Sequence, residues 1–337
     1  MAPPQTGVDA APRRGGHATA HPTISVVVPT YNRAHALEQV LAPLLADSAA
    51  DEVIVVIDGS FDGSLEVVER IARTEPRLRA LFIENSGEMA AREAGARSAS
   101  SDLVLFVDDD VLAGPGLVTG HAHHHAGTGR AVVVGYMPVR VPLGRSAEDF
   151  STRLYAREYE GRCEHWERDR TSVLRELWAG NFSMRREDCL ALGLPNSRYT
   201  ERYHPDRDFG IRCLEAGLGG LFDRSLPATH LHQRTLDAFV RDARSQGAAR
   251  VLMPGLHPRT LPPPFRNEFE RALPSPLRAA VRLARRRRVY EPLSSALIAL
   301  VAGAGRAELW TLQDRAARLL RRIEQQRGAV DLAHGRR

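Results

Sequence analysis

Three consecutive carboxylates, Asp108, Asp109 and Asp110, stand at the end of the apolar run LVLFV in the segment DLVLFVDDDV. Carboxylates this close raise one another's pKa unless a cation neutralises them. Alternation along an extended chain sends Asp108 and Asp110 to one side and Asp109 to the other. An Asp-x-Asp pair at the carboxyl end of a strand suits a hard divalent cation that takes few protein carboxylates and fills its other positions with phosphate oxygens and water. An acidic, solvated turn is the plainer alternative for the triplet alone. Asp58 closes a second apolar run, DEVIVVID, and is placed to accept a base N–H or a ribose hydroxyl. Asp62, just beyond it, is of the type that caps helices, and a cap is the reading we adopt for it. Thr30, Tyr31 and Asn32 follow a third run, ISVVV, where backbone and side chain can meet a nucleotide, although PTYN alone is also an ordinary turn. Asp206 and Asp208 lie in HPDRDFG; a carboxylate there serves as a general base for a hydroxyl or as a helix cap.

Histidines form two groups. His230 and His232, in LPATHLHQ, share a face of any strand they lie on, either as ligands or as packed or exposed side chains. In HAHHH, His121 and His125 fall one helical turn apart, a spacing that can bind metal. No Cys or carboxylate partner is evident nearby, so we expect a solvated helix face there.

The elements that must position these groups alternate. A continuous β-branched run at 24–30 and a second apolar run at 51–60 indicate strands buried on both faces, with a third strand at 78–87 and a fourth at 102–110. Helical patterns at 34–47, 63–76 and 88–100 separate them. Strand and helix at such short spacing imply right-handed crossovers and a doubly wound sheet, in which ligands bind beyond the carboxyl ends of the strands. The unusual residues stand at those ends. Further on, 131–141 reads as a strand, 146–176 as polar helix and loop, 178–187 as a strand leading into a helix, 207–217 as a helix and 219–233 as a strand and loop.

The bulk numbers bound the rest. The chain of 337 residues is 43% hydrophobic, with a formal charge of +5, enough for one large α/β domain with an appendage. All 46 basic side chains are arginine. Cys163, Cys189 and Cys213 lack the spacing of a zinc site or a disulfide scaffold, which fits a reducing cytoplasm. Residues 1–21 read as a disordered Pro-, Gly- and Ala-rich leader without the apolar core of a secretory signal. No run of 18 apolar residues occurs; SSALIALVAGAG at 294–305 is too short to span a membrane. The end of the chain is helical and Arg-rich, with LARRRR at 283–288 and RAARLLRRIEQQR at 315–327. Nucleic-acid recognition would want interleaved aromatics, which are missing, so no nucleic acid is expected. A peripheral contact with anionic lipid and a plain solvated face both remain open for this end.

PTYNR, VIDGSFDGS, NSGEMAAREAG and VDDDV, in this order over about residues 24–112, resemble the nucleotide-binding half of family 2 glycosyltransferases, whose fold is called GT-A. The resemblance implies an α/β GT-A fold: a Rossmann-like, doubly wound mixed sheet with a helical C-terminal extension. It divides the chain into a GT-A domain over 22–235, with a nucleotide-binding half at 22–112 and an acceptor half at 113–235, and an Arg-rich extension over 236–337. The family commonly reads VVDDGSTDGS at the second site; here Ile57 replaces the first Asp, and the base-contacting second Asp maps to Asp58. An Arg-Asn pair common in the third helix is Arg92–Glu93 here. WAGNFSMRRE is similar to the segment between donor and acceptor. HPDRDFG fits the Glu-Asp-x-Asp motif except that Pro205 replaces the Glu.

By that resemblance, nucleotide contacts fall on Pro29, Thr30, Tyr31, Asn32, Arg33, Asp58, Gly87, Arg92, Asp108 and Asp109, and on Gly180 and Asn181. Mn²⁺ or Mg²⁺ falls on Asp108, Asp110 and His230, and the catalytic base on Asp206 with Asp208 as fallback. The expected activity is inverting transfer of a sugar from a nucleotide diphosphate sugar to a glycan or lipid-linked hydroxyl, in surface glycan or glycolipid assembly at the cytoplasmic face of the membrane. A sugar nucleotidyltransferase would want a Gly-rich loop and a basic residue after the first strand, and a dehydrogenase a G-x-G-x-x-G there; both are lacking. A catalytically degenerate binding module is the non-enzyme alternative, supported by Pro205.

Overall fold

The computed structural model describes residues 22–263, 269 and 273–335. The leader at 1–21 lies outside the described residues. The first half forms as its pattern predicts. Strand β1 (Ile24–Thr30) is buried at every position and pairs in parallel with β2 (Glu52–Asp58) on one side and β4 (Leu103–Val107) on the other; β3 (Leu78–Ile83) adds in parallel to β2. Burial at every position requires cover on both faces, which the helices α1 (Ala34–Ala46), α2 (Ser64–Ala72) and α3 (Glu88–Ser98) help to provide. Helix α3 approaches closely because Gly95 has no side chain: a Cβ there would lie 2.3 Å from Cγ1 of Val27.

Beyond β4 the sheet turns mixed. β7 (Asn181–Arg185) pairs antiparallel with β4 and with β6 (Ala131–Tyr136), β6 pairs in parallel with β8 (Gly219–His230), and β5 (Val111–Ala113) lies antiparallel at the edge on β8. The order across eight strands is β3-β2-β1-β4-β7-β6-β8-β5. Helix α4 (Leu117–Gly127) precedes β6, and α7 (Arg186–Leu192) follows β7 directly. Helix α5 (Phe150–Arg168) and the single turn α6 (Ser172–Arg175) fill much of the polar stretch expected at 146–176, and α8 (Pro205–Glu215) carries the HPDRDFG motif.

The C-terminal part is helical, with α9 (Leu236–Leu256), α10 (Ser275–Leu283), α11 (Arg287–Arg306) and α12 (Trp310–Ala333). It has its own apolar cluster, in which Phe239, Val281, Val301 and Leu320 meet Phe150 and Leu154 of α5. Helices α9 and α12 cross so closely that a Cβ at Gly247 would fall 1.9 Å from the Gln325 carbonyl oxygen, and one at Gly328 1.9 Å from that of Arg244. Glu324, fully buried at this crossing, is held by Arg244, Tyr290 and Ser294. A buried carboxylate is tolerated only with such partners. Among the described residues no helix is long and apolar enough to cross a membrane.

Candidate functional site

Parallel register brings the ends of β1 and β2 level: Thr30 lies opposite Ile57, one residue before Asp58. With β4 beside β1, three strand ends open into one cavity of about 640 Å³. Pro29 and Thr30 line it from β1, Tyr31 and Arg33 from the turn after it, Asp58 from β2, and all three carboxylates of the triplet from the turn after β4. Asp206, His230 and His232 face it from the other half of the chain.

The triplet's carboxylates have separate partners. Asp108 Oδ1 accepts from a guanidinium nitrogen of Arg92 at 2.5 Å; Arg92 is fully buried and also pairs with Glu88 at 2.6 Å. Asp109 accepts from the Thr30 hydroxyl at 2.8 Å, and burial pushes its pKa up to about 6. Asp110 lies 3.3 Å from a guanidinium nitrogen of Arg33 and 3.4 Å from Nε2 of His230. Burial opposes its charge, but His230 and Arg33 outweigh that and hold its pKa below the usual value. The turn is pinned by backbone bonds from Asp108 N–H to Gly180 O, 3.2 Å, and from Leu231 N–H to Asp110 O, 2.8 Å.

No three His, Cys, Asp or Glu side chains among the described residues form a metal-binding group. A pair does converge, Asp110 and His230, and both donors line the cavity. A carboxylate beside an imidazole fits a divalent cation that draws its remaining ligands from a diphosphate. Asp108, engaged by Arg92, is not drawn to the same point.

Asp206 stands at the start of α8. Its two oxygens accept the Ala179 N–H at 3.0 Å and the Arg207 N–H at 2.8 Å, and burial raises its pKa, with Asp108 adding to the rise. Pro205 occupies the first turn of this helix, where a missing N–H costs nothing and the fixed φ is already helical. The residue before it, His204, adopts φ 67°, an uncommon conformation for a non-glycine residue. Asp208, two positions on, is brought elsewhere: it is 1% exposed and is held by Asn196, Arg212 and His257 at 2.9, 3.0 and 2.9 Å.

Several other predicted contacts serve the loops around the cavity. Both oxygens of Asp58 accept backbone N–H groups, of Ser86 at 2.6 Å and Gly87 at 2.9 Å, so Asp58 shapes the loop after β3 as well as facing the cavity. Gly87 is outside the lining. Asn32, at φ 53°, accepts from Phe61 N–H and ties the first loop to the second, also outside the lining. Asp62 is not the N-cap expected for it, since Gly63 stands at the N-cap of α2; it accepts N–H groups from Ala34 and Ser64 from one residue further out and so ties the starts of α1 and α2 together. Gly180 touches Asp108 from behind: a Cβ there would lie 2.9 Å from Asp108 Oδ2. The Asn181 side chain turns into the core, to His121 at 2.9 Å and the Leu226 carbonyl at 3.2 Å.

The solvated helix face expected for HAHHH is corrected. His121 is fully buried, bonded to Ser183 and Asn181, and burial pushes its pKa down to about 3. His125 is buried against Ser183 as well. β7 turns Ser183 and Asn181 toward α4, and buried polar groups need partners, which the two histidines supply. Only His123 of the run is exposed. The sequence reading also missed the wall formed by Tyr155, Trp178 and Tyr203. His232 stacks on Tyr155 at 4.1 Å between ring centroids, and Trp178 meets the same tyrosine edge-on. Trp178 stood two residues before the flagged Gly180; Tyr155, inside a polar helix, gave no local signal.

Comparison with known proteins bears on the fold and the family likeness. Residues 25–190 match the model of Glycosyl transferase family 2. Validoxylamine A glucosyltransferase of Streptomyces hygroscopicus subsp. jinggangensis (strain 5008) is 42% identical over 132 residues, 36% of this chain and 31% of that protein. An uncharacterized glycosyltransferase of Bacillus subtilis (strain 168), EpsJ, is 36% identical over 90 residues, 26% of each chain. The match thus spans less than a third of the length of these relatives. The structure of the mannosyltransferase PcManGT from Pyrobaculum calidifontis, in complex with GDP-Man and Mn²⁺, superposes with a TM-score of 0.58 over 95% of this chain and 89% of that one, at 18% identity. That likeness, reaching into the C-terminal helices, shows the fold expected from the sequence: a GT-A mixed sheet with a helical C-terminal region.

Proposed function

We propose that the protein is an inverting glycosyltransferase that moves a sugar from a nucleotide diphosphate sugar to an acceptor hydroxyl. The observation that carries this reading is the meeting, in one cavity, of the strand-end carboxylates and the half-buried Asp206 from the other half of the chain. The β1, β2 and β4 ends would hold the nucleotide and diphosphate. Asp206 would take the acceptor proton as the acceptor oxygen attacks the anomeric carbon; the desolvation that raises its pKa makes it a better base than a fully solvated aspartate. Arg33 is placed to meet the charge of the departing diphosphate. Asp110 and His230 would hold Mn²⁺ or Mg²⁺, which when bound stabilises that charge as a Lewis acid. A neighbour in fold binds GDP-Man and Mn²⁺, and a relative in sequence is a glucosyltransferase.

The acceptor in this reading is a glycan or lipid-linked glycan assembled at the cytoplasmic face of a membrane. Pro205, the departure behind the degenerate-module alternative, suits the helix start it occupies; turnover that Asp206→Asn abolishes would discard that alternative.

The test is thermal stability against UDP, GDP, dTDP and CMP, each with and without Mn²⁺. A ligand at about 100 times its Kd stabilises the fold by about 2.7 kcal/mol. One nucleotide should do so in a metal-dependent way, and Asp108→Ala/Asp110→Ala should abolish the effect. No shift with any of the four sinks the donor-site reading.

A further inference from the structure

A second and larger cavity, of about 1090 Å³, adjoins the first through shared lining residues. Tyr155, Trp178, Tyr203 and His204 line both and form the partition between them. Its charge is opposite to that of the donor cavity. Arg162 of α5, Arg207 of α8 and Arg250 of α9 line it. So do Arg315, Arg318, Arg321 and Arg322, all from α12. Against these seven arginines the described lining holds two carboxylates, Glu158 and Glu176, an excess of five positive charges. Glu158 pairs with Arg321 and Glu176 with Arg162. The crowding is felt locally: burial, then Arg207 and Arg250, pull the Arg162 pKa down, and the same arginines add to the burial that pushes His204 down to about 3.

Position matters as much as charge. Asp206 and Arg207 are consecutive, and Asp206 lines the donor cavity while Arg207 lines the arginine cavity. An acceptor reaching across the partition would present a hydroxyl to Asp206 while its remainder lies among arginines. The partition itself is aromatic, with flat apolar faces of the kind sugar rings lie against. Guanidinium groups are planar, weakly hydrated and bidentate toward phosphate oxygens. A phosphate group carries up to two negative charges near neutral pH, which fits an excess of several cations better than a lone carboxylate does.

We propose that this cavity is the acceptor site and that the acceptor carries phosphate, as a sugar phosphate or as the phosphate headgroup of a lipid carrier. The proposal rests on the glycosyltransferase reading for the identity of the reaction, but its binding test does not.

The test titrates inorganic pyrophosphate into the full chain at low salt, by calorimetry. The arginine pair Arg315→Gln/Arg318→Gln is chosen because both side chains are exposed on α12, where substitutions usually change stability little. It is made in the wild type and in Asp108→Ala/Asp110→Ala, which removes the acidic seat of the donor cavity. Pyrophosphate should still bind the acidic variant, and the arginine pair should weaken that binding by about tenfold to a hundredfold, the range of one or two charge-assisted contacts. Failure of the acidic variant to bind pyrophosphate, or equal affinity with and without the arginine pair, overturns the proposal. Failure of the donor reading appears separately, as no nucleoside diphosphate shift while pyrophosphate binding persists. Co-sedimentation with phosphatidylcholine vesicles, with and without phosphatidylglycerol, separates the two sources. Capture on the anionic vesicles that the arginine pair abolishes supports a lipid carrier; pyrophosphate binding without vesicle capture supports a soluble sugar phosphate.

Discussion

The two cavities share an aromatic partition and differ in almost everything else. The donor cavity takes its carboxylates from strand ends and turns; Asp108, Asp109 and Asp110 are adjacent in sequence and Asp58 ends a neighbouring parallel strand. The arginine cavity takes its charge from the faces of four helices, and its Arg321–Glu158 pair joins residues 163 positions apart. Strand ends in a parallel sheet are brought level by register alone, so chemistry placed there needs little else to converge. Charge on helix faces converges only if the helices pack in one particular way. Here the α9–α12 crossing, made close by Gly247 and Gly328, sets that packing. The comparison predicts that the two cavities can be disabled one at a time.

The largest separation should come from Asp206→Asn. If Asp206 is the base, transfer falls by about a hundredfold to ten-thousandfold, while nucleoside diphosphate and pyrophosphate both still bind. A loss within about tenfold would hand the proton to another group. The wild-type pH profile makes the same point. Asp206 acts only when ionised, and burial raises its pKa. Activity should therefore fall, as pH drops, at a higher pH than an ordinary aspartate would give, and that limb should vanish in whatever residual activity Asp206→Asn retains.

What was legible follows the same division. The runs at 24–30, 51–60 and 102–110 declared strands by apolar continuity, and the structure places strands within them, at Ile24–Thr30, Glu52–Asp58 and Leu103–Val107. Asp108, Asp109, Asp110, Asp206 and His230 were singled out and do line one cavity. Asn181 and Asp208 were singled out with them and turn into the interior, because a motif fixes the position of a residue and not which way its side chain leaves the backbone. His121 and His125 looked solvated because nothing in their own segment could partner them; their partners stand on β7, about sixty positions on. The arginines of α12 were read as a surface face or a lipid contact, since no helix pattern alone reveals the cavity they close.

Gly180→Ala should sharpen the comparison with a smaller effect. Gly180 sits at φ 131°, and an added Cβ would come within 2.9 Å of both Asp108 Oδ2 and Met137 Sδ. Strain of this kind costs about 1–3 kcal/mol, measurable by denaturant unfolding. The intrusion is against the acidic cluster, so nucleoside diphosphate affinity should fall. Pyrophosphate affinity in the arginine cavity should hold. Loss of both would mean that the partition transmits the change and that the cavities act as one site.

The smallest effect at neutral pH belongs to His121, which lines neither cavity. Its pKa is pushed down by burial from the ordinary 6.5 to about 3, so the folded protein keeps it neutral where the unfolded chain would protonate it. The unfolded state then binds the extra proton, and stability rises with pH wherever that is so. Stability should accordingly be full above about 6.5 and drain away as pH falls toward about 3. His121→Gln keeps an amide that can bond to Ser183 or Asn181 but removes the titrating ring. Urea unfolding at a series of pH values should show a shallower acid decline in the variant, with nucleotide and pyrophosphate affinities at pH 7 unchanged. An identical decline would assign the acid sensitivity to other groups; a change in either affinity would show that α4 and β7 support the cavities more directly than their placement in the core implies.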